Sequence, residues 1–468
     1  MKREKALLRN TIILALGTFL PRVINIATTP LTIRYLNTEQ VGLVNLLTTT
    51  ILTFLVPIAT LQLEQAFFRF LIDAKTDESK AKIISSGMVV IFGIMVTIAM
   101  ITFWVPISGF DGGYKWLIIG YIWIEILSQI SRFILRAFSM YKQYSIFAML
   151  AVIANLISLL VCLIGLRMGY HSIIISLVIA DVVGLGYALL TSPILRYIRF
   201  DAFSMSTAKE MIYFSLPFIP NMVAWSANLS ADQFLITGFL GKSPNGIYTT
   251  AYKVPSIVSM LYPAFNLAWT ESASRAISEE GTATYYSRMY RMIYCILTGG
   301  TALLIAISPY IFAILVPKKS FMSALQYVPI LILATYIYCF AQFFSSIYIA
   351  IKQGKHMSIS TILAASFNIA LNLVLLQTFG LWAAVFASLL SNILLAGYRY
   401  YDINHHYYKM RVSYRLTILT VSIFGIELLL FFQNNTYLNI ANIILALVFA
   451  YFLCDDIIIG LWKTHKSK

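Results

Sequence analysis

Uninterrupted apolar runs of about twenty residues recur along the whole of this 468-residue chain, and no other feature limits its fold so strongly. Backbone polar groups in hydrocarbon have no water to bond, so such runs fold as membrane-spanning helices. A barrel strand would be roughly ten residues long and alternate in polarity. Composition agrees: 59% of residues are hydrophobic and 11% charged, with a mean hydropathy of +0.80, too little charge for a soluble fold. The chain is therefore an all-α integral membrane protein of about 14 helices. They fall near 10–34, 41–66, 83–106, 116–138, 145–166, 172–193, 211–238, 247–270, 291–315, 325–350, 358–377, 381–400, 415–433 and 439–462. Only Thr378-Phe379-Gly380 separates the runs 358–377 and 381–400, which reads as a hairpin turn or as a kink in one long helix.

The net charge of +15 raises nucleic acid as a partner, and its distribution argues against it. With both termini inside, inner loops and span ends hold 25 of the 34 Lys and Arg residues, and outer loops hold 6. The remaining 3 (Arg22, Arg132 and Lys253) lie within helices. That asymmetry is the positive-inside rule, and it predicts a multi-pass protein of the plasma membrane with cytoplasmic termini and no nucleic-acid partner. The start, Met-Lys-Arg-Glu-Lys, resembles the basic region of a signal peptide, but the following run is too long and carries Pro21, Arg22 and Pro30. It reads as an uncleaved first span.

Several chemistries are excluded. No loop exceeds about twenty residues, so there is no room for a soluble catalytic or nucleotide-binding domain, and no catalytic residue set is expected. Gly241-Lys242-Ser243 resembles the end of a phosphate-binding loop, but that motif needs glycine at 236, where the chain has Ile. Four cysteines fall inside helices without CxxC spacing, and five histidines lie in loops or at span ends, so no metal site is expected.

The stretch 214–271 departs from plain apolar helix. Its two spans contain Asp232 and Lys253, and Pro217, Pro220, Pro255 and Pro263 interrupt them. Charge in hydrocarbon is costly and faces a wet cavity or a partner. Proline breaks the helix ladder, so Pro217, Pro220 and Pro255, with Pro21 of the first span, are candidate hinges. By helix rise, Asp232 and Lys253 sit at a similar depth, about 9 Å below the outer surface, and are placed to pair. Arg22 lies near mid-membrane, as do Glu125 and Asp181, about 14–15 Å from their outer ends. Arg132 and Arg136 fall toward the inner end and read as interfacial, whereas Glu427 on the thirteenth helix has no obvious partner.

An internal repeat accompanies this pattern. Tyr35-Leu36 with Gly42-Leu43, and Phe239-Leu240 with Gly246-Ile247, each read aromatic-Leu, five varied residues, Gly and an apolar residue. Six helices separate the two copies, so the halves are parallel repeats. On the paired halves, the Leu-x5-Gly turns, the run Gly246-Ile247-Tyr248-x4-Lys253-Val254-Pro255 and the lack of a soluble domain, the chain resembles the polysaccharide transporters of the multidrug/oligosaccharidyl-lipid/polysaccharide (MOP) exporter superfamily. It looks most like the Wzx-type oligosaccharide-lipid flippases and is similar to the related lipid II flippase.

That resemblance implies a MATE/MOP-like fold: an N-terminal six-helix lobe at 1–195, a cytoplasmic linker at 196–210 and a second lobe at 211–400. A basic loop, helices 13 and 14 and the tail would fill 401–468. It implies alternating access, with a polyprenyl-diphosphate-linked oligosaccharide carried from the inner to the outer leaflet. In that family basic residues on the first and eighth helices line the central cavity. Arg22 and Lys253 occupy matching helices here, with Lys in place of the more usual Arg on the eighth. A cationic cavity would replace the hydration of a diphosphate whose desolvation is otherwise prohibitive. Trp225, Tyr248, Tyr252 and Tyr262 read either as stacking platforms for sugar or as interfacial anchors. Glu125 and Asp181 read as packed acids or as sites for a coupling H⁺ or Na⁺, and no other cofactor is implied. Partners would be the lipid-linked oligosaccharide, membrane lipids and other polysaccharide-assembly proteins. Two rivals remain: a cation-coupled drug exporter of the same superfamily, and a membrane-bound sugar polymerase or transferase.

Overall fold

A computed structural model describes residues 28–104, 113–277, 281–351, 353–410, 413–433 and 435–466, and the regular structure among them is helical. Ten helices among the described residues are long and apolar enough to cross a membrane, which makes this a multi-pass membrane protein. The chain divides into two compact units, Met1–Phe234 and Leu235–Lys468. Pro21 and Arg22 lie outside the described residues.

In the first unit, α1 (described over 28–35) turns at Asn37 into α2 (Thr38–Thr49). Asn37 and Gln40 form a reciprocal capping box, with Gln40 N donating to Asn37 Oδ1 at 2.8 Å and Asn37 N to Gln40 Oε1 at 3.1 Å. The helix widens to a π-turn at Thr50–Leu55, resumes as α3 (Val56–Ala59) and then breaks. Leu61 and Gln62 take left-handed φ angles of 52° and 57°, and α4 (Leu63–Asp73) starts afresh. The continuous span expected at 41–66 is therefore two helices meeting at a strained corner. No glycine marks the corner; side-chain hydrogen bonds hold it.

The unit continues through α5 (Asp77–Trp104), α6 (Gly113–Ala137), α7 (Tyr141–Leu160) and α8 (His171–Thr191). Its core gathers Phe67 of α4, Ile84 and Ile91 of α5, and Tyr121, Ile126 and Ile130 of α6. Short α9 (Ile194–Tyr197) leads into α10 (Met205–Ser215) and α11 (Phe218–Leu240). The segment between α8 and α10 is pinned to α5: Ser85 Oγ donates to Tyr197 O at 2.9 Å, and Tyr197 Oη to Asp77 Oδ1 at 2.8 Å. Leu216 and Pro217 form the break before α11, while Pro220 is accommodated in the first turn of that helix.

In the second unit, Gly241 alone, at φ +97°, separates α11 from α12 (Lys242–Ala251). The gap expected between the runs 211–238 and 247–270 is shorter because Pro244 fits the first turn of a helix, where no N–H is required of it. Residues 252–255 form a turn between α12 and α13 (Ser256–Ala276), so Lys253 and Pro255 occupy an interruption of the expected eighth span. There follow α14 (Thr282–Leu315), a 3₁₀ stretch Lys319–Tyr327, α15 (Val328–Ala350), α16 (Gly354–Phe379) and α17 (Leu381–His406). Gly380, at φ +56°, divides α16 from α17, so those two runs are a hairpin and not one kinked helix. Helices α18 (Tyr414–Phe432) and α19 (Thr436–Lys466) close the chain. Helix α15 is the buried centre of this unit, packed by α13, α14 and α17. Trp269 of α13 stacks on Phe343 of α15 at 4.6 Å and donates its Nε1–H to the Phe343 carbonyl at 3.0 Å.

Candidate functional site

Helix α6 is apolar around most of its surface but carries Glu125, Ser128, Gln129 and Arg132 at i, i+3, i+4 and i+7, a polar stripe on one face. That face is turned into the first unit, where the polar groups must find partners inside protein. Arg132 Nη2 reaches Glu125 Oε1 at 2.8 Å, and its Nη1 lies 3.9 Å from Asp181 Oδ1 of α8. Ser128 Oγ donates to the same Asp181 oxygen at 3.0 Å. Glu125 and Asp181, which the sequence places at similar depth, thus meet around one guanidinium. Both residues are buried, and Tyr121 one turn before Glu125 is 1% exposed. Arg132 also lies over the Phe147 ring of α7 at 5.7 Å. The interfacial role expected of Arg132 is replaced by that of a counter-charge within the helix bundle. Arg136, one turn on, does lie over aromatic faces, 5.2 Å from Phe68 and 5.3 Å from Phe133.

The same stripe reaches the strained corner between α3 and α4. Gln129 Nε2 donates to Glu64 Oε1 at 3.3 Å, and Thr60 Oγ1 donates to Glu64 Oε2 at 3.0 Å. Gln62 Nε2 donates to Pro57 O at 3.2 Å across the break. Glu64 is only 1% exposed, and reading the sequence alone passed over it. Gln129 thus ties the Glu64 carboxyl of the corner to the helix face that carries the Glu125–Arg132–Asp181 cluster. Beside it, Ser226 of α11 donates to Thr53 O at 2.7 Å, taking up a carbonyl of the π-turn, where the regular ladder is displaced.

Asp232 and Lys253 belong to different units of the chain. Asp232 is half-buried on α11 in the first unit, and Lys253 is half-buried at the α12–α13 break in the second. Tyr252 beside it is 40% exposed, whereas Tyr248 and Tyr262 are buried, and the Trp225 side chain lies outside the described residues. Tyr248 Oη comes within 3.4 Å of Ser388 Oγ of α17.

A second polar knot, unforeseen in the sequence, ties α15, α16 and α17. Arg399, 3% exposed, donates to Ser360 Oγ at 2.9 Å, Thr361 Oγ1 at 2.9 Å, Ala341 O at 2.8 Å, Met357 O at 3.3 Å and the Ser345 hydroxyl. One turn on, Asp402 accepts from Tyr348 Oη at 2.6 Å and lies 3.2 Å from His356 Nδ1 and 3.1 Å from His406 Nδ1.

This architecture is shared with transporters of the MOP superfamily. The structure is similar to that of the lipid II flippase MurJ in an inward closed conformation, at a TM-score of 0.72 and 15% identity, covering 96% of this chain and 100% of that one. It is also similar to an inward-facing MATE-family multidrug resistance transporter of the MOP superfamily, at a TM-score of 0.63 and 15% identity over 83% of this chain and 94% of that one. A third match is a MOP superfamily transporter from Pyrococcus furiosus described as having a binding pocket of reversed polarity, at a TM-score of 0.55 and 15% identity over 86% and 96% of the two chains. A comparison with curated protein sequences found no match. The profile of the polysaccharide biosynthesis protein family matches residues 7–270, more than half of the chain, and the protein belongs to that family.

Proposed function

We propose that this protein is a flippase that moves a polyprenyl-diphosphate-linked oligosaccharide from the inner to the outer leaflet of the plasma membrane. The observation that carries the reading is the coincidence of a polysaccharide-biosynthesis family match with a fold similar to a lipid II flippase over nearly the whole chain. Two six-helix lobes, 1–195 and 211–400, would rock about a central cavity and open it to each side in turn. Arg22 and Lys253 would supply its positive charge, with Arg22 forming bidentate bonds to phosphate and Tyr252 meeting sugar. Asp232 would balance Lys253. The turns at Pro217 and Pro255, where proline supplies no N–H to the helix ladder, would be where helix segments change angle. The lipid tail would stay in the bilayer, with both termini in the cytoplasm.

The buried network supports a coupling role for Glu125 and Asp181. Two carboxyls facing one guanidinium are neutral only when a proton or a cation supplies the remaining charge, and burying an uncompensated charge is strongly unfavourable. In this reading H⁺ or Na⁺ occupies the network during part of the cycle. A cation-coupled drug exporter of the same fold is the second reading, and the acids of the first unit are what favour it. Glu64, Glu125 and Asp181 are each at most 9% exposed, however, which suits a small ion better than a drug. A polymerase or transferase would need catalytic groups on a sizeable outer loop.

Arg22→Ala tests the proposal: export of the lipid-linked glycan should be lost while abundance and membrane insertion stay normal. Unchanged export in cells or in proteoliposomes removes the central role given to that residue.

A further inference from the structure

Glu427 on α18 is an acid that neither transport reading uses, and it is 0% exposed. It lies on the face of α18 that also buries Thr420, Phe424 and Phe431. Its neighbour on α19 is Asn442, 1% exposed, whose Nδ2 donates to the Glu427 backbone carbonyl at 3.3 Å. That bond sets the Asn442 amide beside residue 427. Helix rise puts the two at matching levels, roughly 7–9 Å from the turn joining α18 to α19. Among the described residues, neither carboxyl oxygen of Glu427 nor Oδ1 of Asn442 has a hydrogen-bond donor.

Three buried acceptors without a donor make an unstable arrangement, because each forfeits its hydration without a replacement. The titratable groups that neighbouring helices turn toward α18 do not relieve it. Tyr294 of α14 donates to Thr420 Oγ1 at 2.6 Å, and Tyr336 of α15 is bound to Thr298 at 2.8 Å, with its ring against Phe424. Helix α17 offers the indole of Trp382 to Phe432, and α19 offers Ala446 and Phe449, both buried.

We propose that Glu427 is a proton-binding site: its carboxylic acid O–H donates to Asn442 Oδ1 and joins α18 to α19 by a neutral acid–amide hydrogen bond. One proton supplies the missing donor and removes the charge at the same time. The two helices lie outside the paired six-helix sets, so the site is separate from the Glu125–Asp181 network, and the inference stands whether or not the flippase reading does. Loss of the proton would leave a carboxylate facing an amide oxygen and loosen the helix pair.

Infrared difference spectroscopy on the full chain in lipid nanodiscs at neutral pH tests this, in sodium and in potassium buffer. The wild type should show the carbonyl stretch of a protonated carboxylic acid that Glu427→Gln lacks, and Asn442→Leu should shift that band by removing its hydrogen bond. The shift in Asn442→Leu decides the matter should Glu427→Gln fail to fold. Carboxylate bands in place of the acid band overturn the proposal. So does a sodium-dependent rise in melting temperature that Glu427→Gln abolishes, which would make the site one for a metal cation.

Discussion

Arg132 and Arg399 show two ways of keeping a guanidinium inside a helix bundle. Arg132 is matched to acids, with Glu125 at 2.8 Å and Asp181 at 3.9 Å. Arg399 is matched to neutral oxygens, three hydroxyls and two backbone carbonyls on α15 and α16, and its planar fork spans both helices. The first arrangement is vulnerable to loss of one member. Removing one partner of a buried pair leaves an uncompensated charge, at a cost of about 3–5 kcal/mol. Arg132→Leu should therefore lower unfolding stability in detergent by about that amount. Adding Glu125→Gln and Asp181→Asn should restore most of it, because no charge then remains to be balanced. A triple variant no more stable than Arg132→Leu would show that packing of the arginine stem, and not its charge, holds the network together. Part of this site was legible: Glu125 and Asp181 stood out as acids in apolar helices, whereas Arg132 read as interfacial and only the packing of α6 against α8 sets it between them. Glu64 was not legible, because its link to Gln129 depends on a helix corner formed by Leu61 and Gln62 without glycine or proline in either position.

At the scale of elements, small residues set how closely helices cross. With no hydrophobic drive between helices in lipid, close van der Waals contact supplies much of their association. A β-carbon at Gly87 of α5 would come within 2.3 Å of the Phe67 ring of α4, and one at Gly299 of α14 within 3.1 Å of the Ala450 β-carbon of α19. Gly87→Leu should force α4 away from α5 and destabilise the first unit by about 1–3 kcal/mol, as overpacking generally does. The companion change Phe67→Ala should recover part of the loss, read as a melting temperature. Recovery of nothing would mean that Gly87 matters for some reason other than that ring. The helix breaks divide by the same kind of reasoning. Those at Pro217 and Pro255 were readable because proline acts locally on its own backbone. The corner at residues 61–62 was not, since side chains from Thr60, Gln62 and Gln129 hold it.

At the scale of the whole molecule, the chain belongs to the polysaccharide biosynthesis protein family and has a fold similar to that of a lipid II flippase, and its activity is left to experiment. The proposed cargo separates from the rival one in a single pair of assays. Expression in a host deficient in lipid-linked glycan flipping should restore surface polysaccharide, and expression in a drug-sensitive host should not raise resistance to cationic drugs. The opposite pair of results would make the drug-export reading the better one. The sequence by itself determined the membrane class and the position of most helices, because hydrocarbon imposes length and apolarity on each segment separately. Which charges meet was decided only by tertiary structure. Asp402 and His356 are 46 positions apart and Glu64 and Gln129 are 65 apart, and only the rotation of each packed helix turns such residues toward one another.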